Sequence, residues 1–247
     1  MLRLDRALVQ RGLCESRETA KRAILAGQVR VGGQLASKPS DAVKPGDPIT
    51  LSAPQKYVSR GGFKLEHALR HFQLDARDAI AIDIGASTGG FTDCLLQYGA
   101  ARVYAVDVGH GQLAWKLRQD PRVVVMEKTN ARRLTRQLFA PPFAGADLIV
   151  ADCSFISLTK ILPPAVALLR DCGKIVALVK PQFEAGKAEA DKGAGVITDA
   201  AIHARVLREL KDFVSVQTRM TWRAEVQSPL LGPAGNKEFL ILLEKEP

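Results

Sequence analysis

The chain has 247 residues, of which 47% are hydrophobic and 25% charged, and 35 lysine and arginine residues against 26 acidic ones give a net charge of +9. This composition is typical of a folded globular protein and excludes a disordered chain. No apolar run approaches the roughly 20 residues of a membrane span, the charged N-terminus does not resemble a signal peptide, and the four scattered cysteines favour a reducing, cytoplasmic compartment.

The first sixty residues predict two short helices and a small β-ribbon. An amphipathic helix ends at Gly12, and a second helix over 17–26 follows Ser16, a residue type typical of helix N-caps. Apolar and polar side chains then alternate over 29–31, and the two glycines that follow predict a tight turn into a returning strand. The stretch 53–60, which contains a proline, is the predicted linker.

Beyond the linker, strands alternate with helices, which is the pattern of a parallel sheet flanked by helices. The predicted strands cover residues 79–84, 102–106, 122–126, 147–151, 174–179, 214–221 and 239–243. The predicted helices cover residues 90–97, 112–117, 161–170 and 199–213. The polar, glycine-rich stretch 184–197 is predicted to be an irregular loop, of the kind that often closes over a site as a lid.

Basic residues are concentrated near the N-terminus. Residues 1–60 hold 11 lysines and arginines against 5 acidic residues, a net charge of +6, which leaves +3 for residues 61–247. The order R-x-D-x-x-L, G-L-x-x-S-R and V-x-V-x-G over 3–33 resembles the S4 RNA-binding module, and the resemblance implies that basic side chains hold RNA phosphates here. Alternatively, some of these cations pair with nearby acids on a solvated face. The candidate RNA-binding residues are Arg3, Arg6, Arg11, Arg17, Lys21, Arg22 and Arg60.

A glycine-rich turn follows the first strand of the predicted sheet. It reads D-I-G-A-S-T-G-G-F over 83–91 and opens a helix, so free backbone N–H groups can face a ligand. Its spacing is not the G-x-G-x-x-G of dinucleotide-binding proteins. It resembles instead the S-adenosylmethionine loop of class I methyltransferases.

Within this resemblance, we expect Asp83 to meet a cation or amine and Asp107, which ends the second strand, to accept ribose hydroxyls. Asn130 either meets the adenine or starts a helical turn. The candidate cofactor-binding residues are Asp83, Gly85, Ser87, Thr88, Gly89, Gly90, Asp107 and Asn130.

Asp152, Lys180 and Glu238 lie next to predicted strands, and Lys64 precedes the predicted sheet. Because an isolated ammonium there is costly, we expect Asp152 and Glu238 to pair with the lysines. The set Lys64, Asp152, Lys180 and Glu238 resembles the K-D-K-E tetrad of FtsJ-type RNA ribose 2′-O-methyltransferases.

The blocks V-S-R-G-G-x-K-L, D-I-G-A-S-T-G-G-F-T, D-x-S-F-I-S-L and L-V-K-P-Q-F-E, together with the S4-like module, resemble the TlyA family, some members of which are called haemolysins. The resemblance implies an α/β fold, with a class I, Rossmann-like methyltransferase sheet over 61–247 behind a small α+β S4-like domain over 1–52. It also implies S-adenosylmethionine as methyl donor, ribosomal RNA or ribosomal subunits as partner, and the 2′-hydroxyl of cytidine as the methylated group.

A ribose hydroxyl is a poor nucleophile, so a base must remove its proton as the methyl group is transferred. Because the pKa of a free lysine is about 10.4, a lysine base must be buried or close to another cation. We expect Lys64 and Lys180 to repel each other in this way. Our hypothesis is that Lys180 is the base, oriented by Asp152, while Lys64 and Glu238 are positioning groups. Alternatively, Lys64 stabilises the developing alkoxide, or the four residues form structural ion pairs.

Other functions fit the sequence less well. Methylation of an exocyclic amine favours N/D-P-P-Y/F after the fourth strand, and the D-C-S-F at 152–155 lacks both prolines; carbon methylation needs a nucleophilic cysteine, and Cys153 lacks a Pro-Cys context. A non-catalytic ribosome-binding or assembly protein on a methyltransferase scaffold is a further alternative. A haemolytic pore has no supporting span, and no metal site is predicted because the four histidines do not cluster with cysteines.

Overall fold

The computed structural model describes residues 1–25, 27–52, 56–186, 189, 191, 193 and 195–246. Two compact units make up the chain, Met1–Lys56 and Tyr57–Pro247. Part of the predicted linker, 53–55, lies outside the described residues, and its later residues from Tyr57 onward belong to the second unit.

The described residues of the first unit form two helices and five short strands. They are β1 (Leu2–Arg3), α1 (Leu4–Gln10), α2 (Arg17–Leu25), β2 (Val29–Val31), β3 (Gln34–Leu35), β4 (Ala42–Val43) and β5 (Ile49–Leu51). Strands β3, β2 and β5 form an antiparallel sheet, and β1 pairs with β4. The Oγ of Ser16 accepts a hydrogen bond from the backbone N–H of Thr19 at 3.2 Å and so caps α2. The helices and strands share a core around Leu4, Leu8, Ile24 and Val29.

The second unit is built on a seven-stranded sheet. Its strands are β6 (Ile80–Ile84), β7 (Arg102–Val106), β8 (Val123–Met126), β9 (Ala146–Ala151), β10 (Leu169–Val179), β11 (Met220–Gln227) and β12 (Phe239–Lys245). Its α-helices are α3 (Gly61–His71), α4 (Gly90–Gln97), α5 (Trp115–Arg118), α6 (Leu162–Val166), α7 (Pro181–Glu184) and α8 (Ala200–Gln217). Short 3₁₀ helices cover Ala131–Arg133, Arg136–Leu138 and Leu158–Lys160.

The sheet has the strand order β11-β12-β10-β9-β6-β7-β8. Strands β10, β9, β6, β7 and β8 are parallel, and β12 is antiparallel to both β10 and β11. From β6 the chain continues to β7 on one side, while β9 lies on the other side. Ligands of doubly wound sheets bind at such a switch point, outside the carboxyl ends of the strands. The predicted Rossmann-like architecture is thereby confirmed.

Helices cover both faces of the sheet. On one face α3, α4 and α5 contribute buried side chains such as Leu65, Leu95 and Leu117. On the other face α6 and α8 contribute Leu162 and Leu210. Because both faces are covered, the central strands are apolar along their whole length rather than alternating, which is why their positions could be predicted as continuous apolar runs.

The predicted strand over 214–221 is wrong in its first half. Val214 belongs to helix α8, and strand β11 begins only at Met220. Val206, Leu210 and Val214 are all buried and lie four residues apart, so one face of α8 continues to the end of the helix. The local alternation of apolar and polar residues at its end therefore does not form a strand.

The predicted helix over 161–170 is too long. Helix α6 ends at Val166, and strand β10 already starts at Leu169. The pairing of β10 with β9 shifts in register between Leu169 and Lys174. Of the predicted loop 184–197, residues 187, 188, 190, 192 and 194 lie outside the described residues.

Candidate active site

The loops after β6 and β9 contact each other at the carboxyl edge of the sheet. Gly85 has φ +84°, and a Cβ at this position would lie 2.6 Å from the carbonyl oxygen of Asp152. The backbone N–H of Asp152 donates to the carbonyl of Ile84 at 3.0 Å. A glycine is therefore required here both for the backbone conformation and for the close approach.

Asp107 at the end of β7 holds the glycine-rich loop. Its Oδ2 accepts a hydrogen bond from the N–H of Ser87 at 2.7 Å, and its Oδ1 accepts one from the N–H of Gly109 at 2.6 Å. Each carboxylate oxygen can accept a second hydrogen bond. Asp107 is therefore fixed in position and can still bind hydroxyl groups.

Asp83 lies behind this loop and is fully buried. Its Oδ2 accepts hydrogen bonds from the N–H and Oγ1 of Thr92 at 2.9 and 2.7 Å, so that it holds the first turn of α4. Burial raises the pKa of Asp83 to about 7. Its Oδ1 has no hydrogen-bond partner among the described residues, so a buried acceptor lies directly beneath the loop.

A cavity of about 640 Å³ opens at the switch point. Its lining comes from the loops after β6, β7, β8 and β9. Of the predicted cofactor residues, four line this cavity, namely Gly85, Ser87, Asp107 and Asn130, and four do not, namely Asp83, Thr88, Gly89 and Gly90. The sequence interpretation missed further lining residues, which include Val108, Gln112, Thr129, Arg132, Ser154 and Phe155.

The cavity residues near Asn130 and Phe155 have distinct local structures. The Oδ1 of Asn130 accepts a hydrogen bond from the N–H of Arg132 at 3.0 Å, so it caps the 3₁₀ turn as well as lining the cavity. Phe155 has φ +63° and is 89% exposed, with its ring centroid 5.0 Å from that of Phe183. An exposed aromatic ring at the rim of a cavity can stack on a planar ligand.

Two lysine–carboxylate pairs lie at the carboxyl edge of the sheet, and the acid of one of them, Asp152, lines the cavity. The Nζ of Lys180 lies 2.6 Å from Oδ1 of Asp152 and donates a hydrogen bond to Oγ of Ser154 at 2.9 Å. The Nζ of Lys64 donates to Oε2 of Glu238 at 2.5 Å. These are the partners expected from the cost of an isolated buried ammonium. Because each lysine contacts a carboxylate, repulsion between the two lysines is not their dominant interaction.

The sheet explains how residues so distant in sequence meet. Val179 pairs with Phe239 in the antiparallel ladder of β10 and β12, so Lys180 and Glu238 leave the sheet at the same edge. Asp152 follows β9, the parallel neighbour of β10. Gly232 gives Glu238 its space, because a Cβ on Gly232 would lie 2.6 Å from Oε1 of the carboxylate.

Cys153 does not have the properties of a nucleophile. Burial, with a smaller contribution from the charge of Asp152, raises the pKa of the Cys153 thiol to about 12. The thiolate, which is the nucleophilic form, is therefore disfavoured. This argues against carbon methylation through a covalent cysteine intermediate.

The predicted RNA-binding residues differ in their surroundings. Arg3 and Arg17 contact Asp5, Lys21 contacts Glu18, and Arg11 donates to three backbone carbonyls of the segment 44–47. Arg6 and Arg22 have no ion pair among the described residues. Arg60 belongs to the second unit, directly before α3, and is exposed.

Two further properties concern the described residues as a whole. None of their helices is long and apolar enough to cross a membrane. In the same part of the chain, no group of three or more histidine, cysteine, aspartate or glutamate side chains is arranged to hold a metal ion.

Family models match both units of the chain. The model of the FtsJ-like methyltransferase matches residues 57–245, and that of the S4 domain matches residues 2–49. The chain belongs to the FtsJ-like methyltransferase family. The expectation of an S4 module in front of an FtsJ-like domain is confirmed.

Individual relatives extend this similarity over nearly the whole chain. The 16S/23S rRNA (cytidine-2′-O)-methyltransferase TlyA of Mycobacterium tuberculosis is 44% identical, covering 99% of this chain and 90% of that protein. Hemolysin A of Brachyspira hyodysenteriae is 42% identical, covering 97% and 98%. A solved structure from Streptococcus thermophilus, described as a hemolysin, is 46% identical with a TM-score of 0.75, and the match covers 99% of this chain and 88% of that one.

Proposed function

We propose that this FtsJ-like methyltransferase transfers a methyl group from S-adenosylmethionine to the 2′-hydroxyl of cytidine in ribosomal RNA. The observation that carries the proposal is the pair of lysine–carboxylate contacts, Lys180 with Asp152 and Lys64 with Glu238, at the edge of the sheet where Asp152 lines the cavity. The similarity to the TlyA methyltransferase of M. tuberculosis supports the choice of cytidine and ribosomal RNA.

The cavity fits S-adenosylmethionine. Its volume of about 640 Å³ lies within the range of small-molecule sites. Asp107 would accept the ribose hydroxyls of the cofactor, and Asn130 would meet the adenine. Asp83 lies beneath the loop, outside the cavity lining, and would act on the cofactor only through the loop that it holds in place.

Bound S-adenosylmethionine would supply an electrophilic methyl group. The protein's own residues then have to bring a ribose hydroxyl to it and remove the proton. Lys180 is the group that we assign to accept that proton on Nζ, and Asp152 and Ser154 fix the position of Nζ. Lys64 and Glu238 contact each other and are buried, and Glu238 leaves the sheet at the same edge as Lys180, so we assign them as positioning groups.

The exposed ring of Phe155 supports a nucleic acid substrate. Single-stranded RNA bases stack on aromatic side chains, and a ribose can be methylated only where its nucleotide is accessible. A substrate base stacked on Phe155 would lie at the rim of the cavity, with its ribose toward Asp152.

Methyl transfer to ribosomal subunits tests the proposal. Subunits from a strain that lacks the protein are incubated with the enzyme and labelled S-adenosylmethionine, and the RNA is then digested to nucleosides. We expect the label in 2′-O-methylcytidine. Replacement of the base, Lys180→Ala, should lower the turnover rate by about 10²- to 10⁴-fold.

The control is Lys160→Ala, which removes an exposed lysine from the 3₁₀ helix Leu158–Lys160. It should leave turnover unchanged. Absence of label with the wild-type enzyme on every subunit preparation would refute the proposal and favour the non-catalytic assembly role. Label in a base methyl group would refute the choice of the ribose hydroxyl.

A further inference from the structure

The first unit contains a buried acid among its basic residues. Asp5, in helix α1, is completely buried. Arg3 donates to it twice, from Nε to Oδ1 at 3.1 Å and from Nη2 to Oδ2 at 3.2 Å, and Arg17 donates from Nη2 to the same Oδ2 at 2.9 Å. Because they share an acceptor oxygen, the guanidinium groups of Arg3 and Arg17 lie side by side.

The two arginines are only partly used by this contact. Their side chains are 46% and 47% exposed. A guanidinium group has five N–H donors, and in the contact with Asp5 Arg3 uses two of them and Arg17 one. The cluster of two guanidinium groups and one carboxylate has a net charge of +1, with the positive charges exposed and the negative charge buried.

The buried carboxylate lowers the cost of holding two like charges together. Two guanidinium groups repel each other, and each long side chain loses rotamer freedom when it is fixed by a ligand. Asp5 offsets the repulsion and fixes both side chains before a ligand arrives. The arginines in turn hold the pKa of the Asp5 carboxyl well below its usual range, mainly through the hydrogen bonds from Arg3, so that the carboxylate stays charged.

We propose that Arg3 and Arg17 form a preorganised site for one RNA backbone phosphate, and that Asp5 is the positioning residue of this site. The proposal rests on the proposed function in so far as it takes RNA to be the ligand. A phosphate presents oxygens in several directions, and adjacent guanidinium groups match them with parallel N–H donors.

The proposal predicts that neutralising Asp5 changes the affinity for RNA in the direction opposite to that expected from net charge alone. RNA is a polyanion, so removal of an acid from an RNA-binding surface ordinarily strengthens binding. At Asp5 removal of the charge should weaken binding, because the two arginines then separate.

Glu18 provides the matched comparison. It also contacts a basic residue, Lys21, at 2.7 Å, but its side chain is 76% exposed and contacts only one cation among the described residues. Neutralising Glu18 changes the net charge by the same amount as neutralising Asp5, but it does not remove a buried carboxylate that holds two arginines.

The experiment compares Asp5→Asn with Glu18→Gln in the full chain. Purified ribosomal RNA is titrated into fluorescently labelled protein at several salt concentrations. We expect Asp5→Asn to weaken binding about 3- to 10-fold and to reduce the salt slope by about one, and Glu18→Gln to bind at least as tightly as the wild type. Binding by Asp5→Asn that equals or exceeds that of Glu18→Gln would overturn the proposal.

Variants that keep the charge separate positioning from folding. Arg3→Lys and Arg17→Lys retain a cation but lose the planar fork of donors, and each should weaken RNA binding several-fold per folded molecule. Arg22→Lys, at an exposed position without an ion pair among the described residues, should bind like the wild type. If Asp5→Asn does not fold, the comparison of the three lysine variants tests the proposal instead. Equal RNA affinities for all three variants would overturn it.

The same titration separates this proposal from the proposed function. Wild-type protein that methylates ribosomal RNA, together with an Asp5→Asn variant of undiminished affinity, would contradict only the role of Asp5. Wild-type protein that neither binds nor methylates ribosomal RNA would contradict the proposed function itself.

Discussion

The two lysine–carboxylate pairs of the candidate active site differ in burial. The side chains of Lys64 and Glu238 are 7% and 0% exposed, whereas those of Lys180 and Asp152 are 10% and 22% exposed. Removal of one partner from a buried pair leaves an uncompensated charge without solvent, while a partly exposed carboxylate can be hydrated. The same substitution should therefore have different consequences at the two lysines.

We predict that Lys64→Ala lowers the free energy of unfolding by about 3 kcal/mol and that Lys180→Ala lowers it by a smaller amount, although Lys180→Ala causes the greater loss of turnover per folded molecule. Urea denaturation and methyl transfer measure the two effects. The double variant Lys64→Met with Glu238→Leu is the control, since it removes both charges and should regain part of the stability. Equal stability losses for the two lysine variants would contradict this interpretation.

Asp83 should make stability depend on pH. Its pKa in the folded protein is about 7, above the usual value of about 3.9. Between these values the folded state binds more protons than the unfolded state, so stability decreases as the pH rises from about 4 to about 7 and then levels off. Asp83→Asn can still accept the hydrogen bonds of Thr92 and does not titrate.

We therefore expect the stability of Asp83→Asn relative to the wild type, without ligand, to be greater at about pH 8 than at about pH 5 by on the order of 2 kcal/mol. Urea unfolding of both proteins at the two pH values measures this difference. A difference that is independent of pH, or one that is larger at the acidic pH, would contradict the assignment.

At the scale of elements, the start of helix α3 packs closely under a buried ring. A Cβ on Gly62 would lie 2.2 Å from Cγ of Tyr57, whose side chain is only 1% exposed. Lys64 lies two residues further along the same helix. The absence of a side chain at Gly62 thus sets the position of the helix that carries one residue of the site.

Gly62→Ala should lower the free energy of unfolding by about 1–3 kcal/mol, because the ring of Tyr57 has to move, and should also lower turnover. The adjacent Gly61 is a close control, since a Cβ there would contact Phe91 and Ser59 at 3.5 Å, an ordinary van der Waals distance. Gly61→Ala should change stability by less than about 0.5 kcal/mol. Denaturation of both variants tests the contrast, which fails if the two alanines have equal effects.

The elements that could be predicted from the sequence are those whose signals are local. Helix Gly90–Gln97 begins at the second of two glycines, and strand Arg102–Val106 is a short run with two valines and a tyrosine; both have the predicted bounds. The end of α8 at Gln217 could not be predicted, because the packing of Val214 against the sheet decides it.

The same distinction holds for the candidate site. The sequence could nominate Lys180 and Asp152 because each follows an apolar strand, and the structure brings them within 2.6 Å. It could not nominate Ser154, Gly232 or Gly62, whose roles depend on which side chain lies across from them in the folded chain. Likewise, the buried position of Asp5 under two arginines has no signal in local spacing.

At the scale of the whole molecule, the excess positive charge has two separate locations. Residues 57–247 contain 25 lysines and arginines and 21 acidic residues. The segment 128–146 contains four of these cations and no acid, so the rest of the second unit is neutral. The four residues are Lys128, Arg132, Arg133 and Arg136, all of them exposed, and Arg132 also lines the cavity. Long-range attraction of RNA to this unit therefore comes mainly from one segment.

The two units also have separate cores. The buried apolar cluster of the first unit contains only residues up to Val43, with Leu51 packed at its edge, and the two clusters of the second unit begin at Tyr57. Removal of residues 1–52 should therefore leave the second unit folded and able to bind S-adenosylmethionine with an affinity close to that of the full chain, as calorimetry would measure.

The same truncation should weaken binding to ribosomal RNA and flatten, without abolishing, its dependence on salt, because the number of phosphate contacts sets the slope. The remaining slope should come from the segment 128–146. The double variant Arg132→Ala with Arg133→Ala in the truncated protein should reduce the salt slope further, by about one to two. The control is Arg223→Ala, which should not change the slope; Arg223 lies on the edge strand β11 and pairs with Glu244 of β12. RNA affinity unchanged by the truncation would show that the S4 unit does not contribute to binding, and a slope insensitive to the two arginines would place the remaining contacts elsewhere on the second unit.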